Sequence, residues 1–473
     1  MDMLTLFAGY ALVWCFGLAL VTAIPLRADA AQAPPSLAWT KGCGWFAGAF
    51  VLTLWMRVLS LAGIEFSVVA VGAPMLVLAF AVGSLALRRK PRPWPDLRAL
   101  LIDLSGADLP RWLRLAWLAL LGWMSLRYAL LLSEVLLRPL YPWDAWTQWG
   151  TKARVWFELK SMVPFVPLVE WLQPGNTAYI DTAPHYPATV PLLQVWSALL
   201  IGRWDDALVN LPWWLTGVAF ACILYGFLVQ RAFSRVSALL VTWLVVSLPI
   251  LETHVALAGY ADLAMSAYLT AAVLAALNWL STRQWRDAAL ALLFLAACVT
   301  IKNPGKVWLV VLLPAAVAAL VPRYGLKLAG AGIAIAIAAL LLFAQTSPTV
   351  LGYQIHLEFV SPWRGLAEAW FAFANWHLLW YAAIVIAILG RRELFTAELA
   401  PLTLVIGSGL LFLFFGFAFT NAARWVEDQS TVNRATLHLA PLVVVWAALV
   451  FRAWARRTEA PAAASSPPAP LPA

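Results

Sequence analysis

The chain has 473 residues, 63% hydrophobic and only 12% charged, with a mean hydropathy of +0.81 and a formal net charge of +9. A soluble domain carries about twice that charged fraction, so composition excludes a water-soluble fold and points to a polytopic membrane protein. The basic excess does not indicate nucleic-acid binding, because the cations cluster between apolar spans, as orientation signals do.

Apolar stretches able to cross a bilayer need about 17–25 residues, fewer when packed inside a bundle. Candidates lie near 4–24, 44–64, 67–87, 113–134, 208–230, 236–251, 262–281, 286–301, 306–322, 326–345, 370–390, 398–420 and 436–453. The first has no basic start and no cleavage site, so it is read as a retained span and not a signal peptide. The expected fold is therefore an all-α integral membrane bundle of about 13 transmembrane helices. Its spans read as almost free of charge, Arg57 excepted. Cys15, Cys43, Cys222 and Cys298 are scattered along apolar runs, which gives neither a zinc motif nor a disulfide framework. The tail, 454–473, is rich in Pro, Ala and Ser and reads as disordered.

A fourteenth apolar stretch, Ala188 to Gly202, is shorter. The segment 88–114 holds Arg88, Arg89, Lys90, Arg92, Arg98, Arg111 and Arg114 and is therefore cytoplasmic. The pairs Arg231/Arg235, Arg283/Arg286, Arg323/Lys327 and Arg391/Arg392, and the group Arg452/Arg456/Arg457, fall on the same side only if Ala188–Gly202 does not cross. That stretch is accordingly expected on, or dipping into, the outer face. The N-terminus is then outside and the C-terminus inside.

This topology leaves a set of polar groups outside: Asp144, Lys152, Arg154, Asp181, His185, Asp205, Asp206, Glu252, His254, Asp262, Lys302, Lys306, Arg424, Glu427, Asp428 and Arg434. Most loop charges are simply solvated. Two stretches stand apart. In Tyr141–Arg154, YPWDAWTQWGTKAR, helical spacing puts Trp146, Trp149, Ala153 and Trp156 on one face and Asp144, Gln148 and Thr151 on another. The tryptophan face suits the lipid–water boundary, so a surface helix presenting Asp144 is expected; the alternative is that Asp144 caps the helix after Pro142. In TIKNPGK, Lys302 sits where Pro304 and Gly305 break the helix, a placement suited to an anionic headgroup or, alternatively, to a plain hairpin with a snorkelling lysine.

Together with APHYPATVPLLQVWSALLIGRWDD and GYADLAMSAY, these stretches resemble, in order, the GT-C superfamily of membrane glycosyltransferases. The style is closest to protein mannosyltransferases, lipid A aminoarabinose transferases and RgtA/B/C/D-like bacterial relatives. The resemblance covers roughly 113–440, with 1–112 as additional N-terminal spans and basic loop, 113–453 as catalytic core and 135–207 as first outer loop. It implies that Asp144 is the catalytic base. It also implies that Lys152, His185, Tyr186, Asp262, Lys302 and Arg434 bind substrate, Lys302 near the donor phosphate. Many relatives have Glu where this chain has Pro304. The implied partners are a polyprenyl-phosphate sugar donor, a lipid or glycan acceptor and the bilayer, at the bacterial inner membrane with the site facing the periplasm.

Inverting transfer is a single displacement, so one carboxylate to deprotonate the acceptor suffices, with cations to stabilise the departing phosphate. The family has metal-dependent and metal-independent members; with no acidic pair beside Asp144, no metal or other cofactor is expected. A transporter or flippase of a lipid-linked glycan is the alternative from another class, and a membrane scaffold a third. Transporters place ionisable groups at mid-membrane and show repeats, neither of which is read here.

Overall fold

The computed structural model describes residues 2–25, 36–89, 105–321 and 323–464, save 344–346, 348, 351, 352, 357 and 360. Arg27, Lys90, Arg92, Arg98 and the tail beyond 464 therefore lie outside the described residues. The chain is 77% helical. Sheet among the described residues is limited to two short ladders, one pairing Phe165–Val166 in parallel with Tyr179–Ile180 and one pairing Thr349–Val350 antiparallel with Tyr353–Gln354.

The first unit, Met1–Val307, contains α1 (Asp2–Ala23), α2 (Leu37–Leu61), α3 (Val68–Arg89), α4 (Arg111–Leu137), α5 (Thr151–Leu159), α6 (Thr189–Ile201), α7 (Leu211–Gln230), α8 (Arg235–Val246), α9 (Pro249–Ala256), α10 (Asp262–Thr282) and α11 (Trp285–Ile301). The second, Trp308–Ala473, begins within α12 (Pro304–Val311). It continues through α13 (Leu313–Leu320), α14 (Gly325–Phe343), α15 (Leu379–Leu389), α16 (Ala400–Phe419), α17 (Ser430–Leu437) and α18 (Ala440–Ala464). The chain thus forms two compact units that meet after Val307. Helices α1 and α2 pack on α6 and α7 inside the first unit, and α2 also meets α11.

Among the described residues seven helices are long and apolar enough to cross a membrane, nine if each of two bent pairs counts as one span. This makes a membrane protein, but the count of about 13 is not confirmed among the described residues. The shortfall has local causes. Pro249 starts α9 after a 68° bend from α8, because proline cannot continue the hydrogen-bond ladder. Pro314 separates α12 from α13 in the same way. The stretch 370–390 yields only the 11-residue α15, because Phe373 is extended and His377 turns to φ +48°. At the other end, α18 runs on to Ala464, through residues expected to be disordered.

The apolar surface follows from the same logic. Windows of α3 and α4 are only 17% buried, whereas α10 is 78% buried. Val77, Phe80, Leu115 and Leu137 are each more than 60% exposed, a surface that lipid chains stabilise and water does not. Helix α10 is the centre of the first unit. It is built of Ala, Ser, Met and Leu, which let α7 and α11 approach closely.

Candidate functional site

Asp144 opens a π-helical turn, Ala145–Gly150, that leads straight into α5. Thr151 Oγ1 donates to the Trp146 carbonyl five residues back at 2.7 Å, which matches the wider turn. This corrects the surface-helix expectation. The widened turn leaves Trp146 exposed, while Trp149 (2%), Ala153 (0%) and Trp156 (4%) are buried against protein. The tryptophan face is therefore a packing face and not a lipid-boundary face. The capping alternative fails as well, since the Asp144 carboxylate makes no cap hydrogen bond. Asp144 is half-buried, with Gln148 Nε2 at 3.5 Å from its Oδ1.

Lys152 is one of the largest fully buried side chains, 1% exposed. Its ammonium donates to the Ala183 carbonyl at 2.7 Å and lies 3.6 Å from Asp181 Oδ2. Asp181 Oδ1 in turn accepts from the Ala183 amide at 2.5 Å. Burial pushes the Lys152 ammonium below the usual lysine range, and the Asp181 charge opposes this. Burial likewise pushes the Asp181 carboxyl up, against the Lys152 cation and the Ala183 amide. Lys152 thus fastens α5 to the 181–186 loop. Trp149 and Tyr186 meet edge-on at 5.2 Å in the same joint, and His185 is exposed.

Helix α6 begins three residues after Tyr186. Thirteen residues at 1.5 Å each span about 20 Å, too short for a 30 Å hydrocarbon core. It is not a surface helix, however: every side chain from Thr189 to Leu199 is buried. It enters the unit as a short, fully enclosed helix, with Gln194 and Ser197 bonded to Asn210 and to the Tyr10 hydroxyl.

Asp262 is the first residue of α10 and Lys302 follows the last residue of α11. Lys302 Nζ donates to Asp262 Oδ1 at 2.6 Å, with the two side chains 8% and 1% exposed. The carboxylate sits at a helix N-terminus and the ammonium at a helix C-terminus, so both helix dipoles favour this pair. The anticipated break is present: Lys302 is extended and α12 starts at Pro304. Gly305 suits the break, because a Cβ there would fall 2.0 Å from the Cys298 carbonyl oxygen.

Gly259 links the pair to Asp144. Its φ of +114° is closed to side-chain-bearing residues, and a Cβ there would lie 2.5 Å from the Ala145 Cβ. The loop leading to Asp262 therefore rests directly on the turn that carries Asp144. The first unit thus brings the turn after Asp144 against the loop before Asp262, while Lys152 and Lys302 each sit in a buried ion pair. Arg434 belongs to the second unit, half-buried on α17. That helix is gripped by indole donors, Trp376 to Asn433 Oδ1 and Trp370 to Thr436 Oγ1, each at 3.1 Å.

Two features escaped the sequence reading. Arg57 on α2 donates to Thr189 Oγ1 at 2.7 Å and to the Thr300 carbonyl at 3.4 Å, and Thr189 donates to Thr300 Oγ1 at 3.1 Å. This ties α2 to the start of α6 and the end of α11, two residues before Lys302. Arg127, inside α4, pairs with Glu252 of α9, so the spans are not charge-free apart from Arg57. Arg127 could have been found by counting charges within 113–134; its partner could not. Among the described residues no group of three or more His, Cys, Asp or Glu is arranged to hold a metal ion.

The chain matches no protein-family model, no curated protein and no solved structure.

Proposed function

We propose that the chain is a membrane glycosyltransferase of GT-C type. It moves a sugar from a polyprenyl-phosphate donor to an envelope acceptor at the periplasmic face of a bacterial inner membrane. The observation that supports this reading best is the buried Asp262–Lys302 pair at a helix break, with the loop before Asp262 passing close to Ala145, the neighbour of Asp144. Asp144 is half-buried one residue before Ala145, and Asp262 lies three residues beyond Gly259. In this reading Asp144 takes the acceptor proton as the hydroxyl attacks the anomeric carbon, and the phosphate leaves with the bond electrons. Lys302 follows the end of α11, and Arg57 donates to the Thr300 carbonyl two residues before it. Tyr186 and exposed His185 are candidates to meet the sugar.

A second reading, transport of a lipid-linked glycan, draws on the Arg127–Glu252 pair inside apolar helices, since ionisable groups at membrane depth often mark a pathway. The deciding experiment is release of polyprenyl phosphate from a lipid-linked sugar by the purified chain. The variant Asp144→Asn keeps shape and cannot accept the proton, so transfer should fall about 10²–10⁴-fold at normal expression. Near-normal transfer by that variant removes Asp144 from the mechanism. Absence of release by the wild-type chain, with lipid-linked sugar moved across vesicles, favours the transporter.

A further inference from the structure

The second unit carries a feature that the proposed reaction does not use. Helix α15 ends at Leu389, and beyond it Arg391 and Arg392 face Arg457 and Thr458 of α18 across a cleft of about 570 Å³. Both Arg391 and Arg392 are exposed, and neither forms an ion pair with a described residue. Arg457 is held from behind: its Nε donates to Glu393 Oε1 at 2.8 Å, and Glu393 is only 6% exposed. Buried Glu393 thus fixes one of the three guanidinium groups that line the cleft.

The wall of the cleft is apolar. Ile388 and Leu389 line it, and Ile388 ends a stripe formed with Tyr381, Ile384 and Val385 at helical spacing. These four side chains are 48–64% exposed. Such a stripe on a membrane protein faces acyl chains. Its last residue, Ile388, lines the cleft together with the three arginines, so apolar surface and cationic cleft meet at the end of α15.

We propose that this cleft between α15 and α18 binds the headgroup of an anionic phospholipid, with the acyl chains along the Tyr381–Ile388 stripe. Orientation signals need only cations in a short loop. They need neither a cleft nor a buried carboxylate that fixes one of the arginines. A phosphodiester fits the guanidinium geometry, because planar donor pairs match phosphate oxygens. A free phosphate would use the charge and leave the apolar wall unused.

The test uses the full chain in detergent, titrated with dioleoylphosphatidylglycerol or dioleoylphosphatidylcholine, with bound lipid counted by mass spectrometry of the intact complex. Wild type should retain the glycerol lipid in preference. Arg391→Gln with Arg392→Gln should weaken that retention roughly 30-fold, about 2 kcal/mol at 1.4 kcal/mol per tenfold. Binding of the choline lipid should not change. Both arginines are exposed and form no ion pair with a described residue, so their loss breaks no such pair. The control is Arg323→Gln with Lys327→Gln, a basic pair flanking the start of α14 and outside the cleft. An equal loss in the control, or no preference between the lipids in wild type, overturns the proposal. Displacement of the lipid by millimolar inorganic phosphate also overturns it and assigns the cleft to a free anion.

Discussion

Replacing Lys302 tests both the packing and the proposed chemistry, provided its partner is varied too. Lys302→Met removes the ammonium 2.6 Å from an Asp262 carboxylate that is 1% exposed. At an effective dielectric of about 20, unit charges near that separation attract by roughly 4–6 kcal/mol. Breaking a buried pair from one side costs about 3–5 kcal/mol, because the other charge stays buried without compensation. The N-terminus of α10 returns about 0.5–1 kcal/mol to the orphaned carboxylate. A net loss of about 3–4 kcal/mol is expected, which for a cooperative unit of 307 residues lowers the melting temperature by roughly 5 °C. Asp262→Leu should cost a similar amount. The double variant should recover most of it, since a buried pair exchanged for apolar side chains is often neutral or stabilising.

The assay is thermal unfolding of the detergent-solubilised chain for all four members of the cycle. A Lys302→Met protein as stable as wild type refutes the buried-pair reasoning. Activity then decides the role. A stable double variant with wild-type transfer makes the pair structural and removes both residues from the substrate site. A stable but inactive double variant assigns them to the substrate. Loss of donor binding in Lys302→Ala alone decides nothing, because the same change disrupts the start of α10.

Gly259→Ala puts a Cβ against Ala145 in a backbone region costly for alanine, so roughly 1–3 kcal/mol of destabilisation should appear in thermal unfolding; an unchanged melting temperature would mean that the Gly259–Ala145 approach is loose. A topology reporter fused after Asp206 should read periplasmic, because the enclosed 13-residue α6 is too short to cross; a cytoplasmic reading would invert every later span. Trp376→Phe should cost about 1 kcal/mol by removing the donor to Asn433 Oδ1, read as a lower denaturation midpoint, and no change would show that the bond contributes nothing net.

What the sequence made legible followed from periodicity and charge. Helices α1, α3, α4, α7, α10 and α16 lie where long apolar runs put them, because such a run in lipid has no alternative to satisfying its backbone within a helix. The break at Lys302 was legible because Pro304 admits no uninterrupted helix. The tryptophans misled. Composition assigns an indole to the lipid boundary, yet Trp213 donates to the Tyr260 carbonyl, Trp214 to the Tyr128 carbonyl and Trp45 to Thr216 Oγ1. In an apolar interior an indole N–H is a hydrogen bond waiting for an acceptor, and the acceptor is chosen by tertiary structure. The same limit applies to the candidate site. Lys152 and Lys302 read as cations free for a substrate because both fall on the expected outer side, one on a surface helix and one at a helix break. Their partners, Asp181 and Asp262, are 29 and 40 residues away, and neither spacing belongs to any helical or strand repeat. A charge that must be buried near lipid finds its counter-ion first. In the proposed reading Lys152 and Lys302 therefore act as members of buried pairs, and the base is Asp144, half-buried at the turn that opens α5.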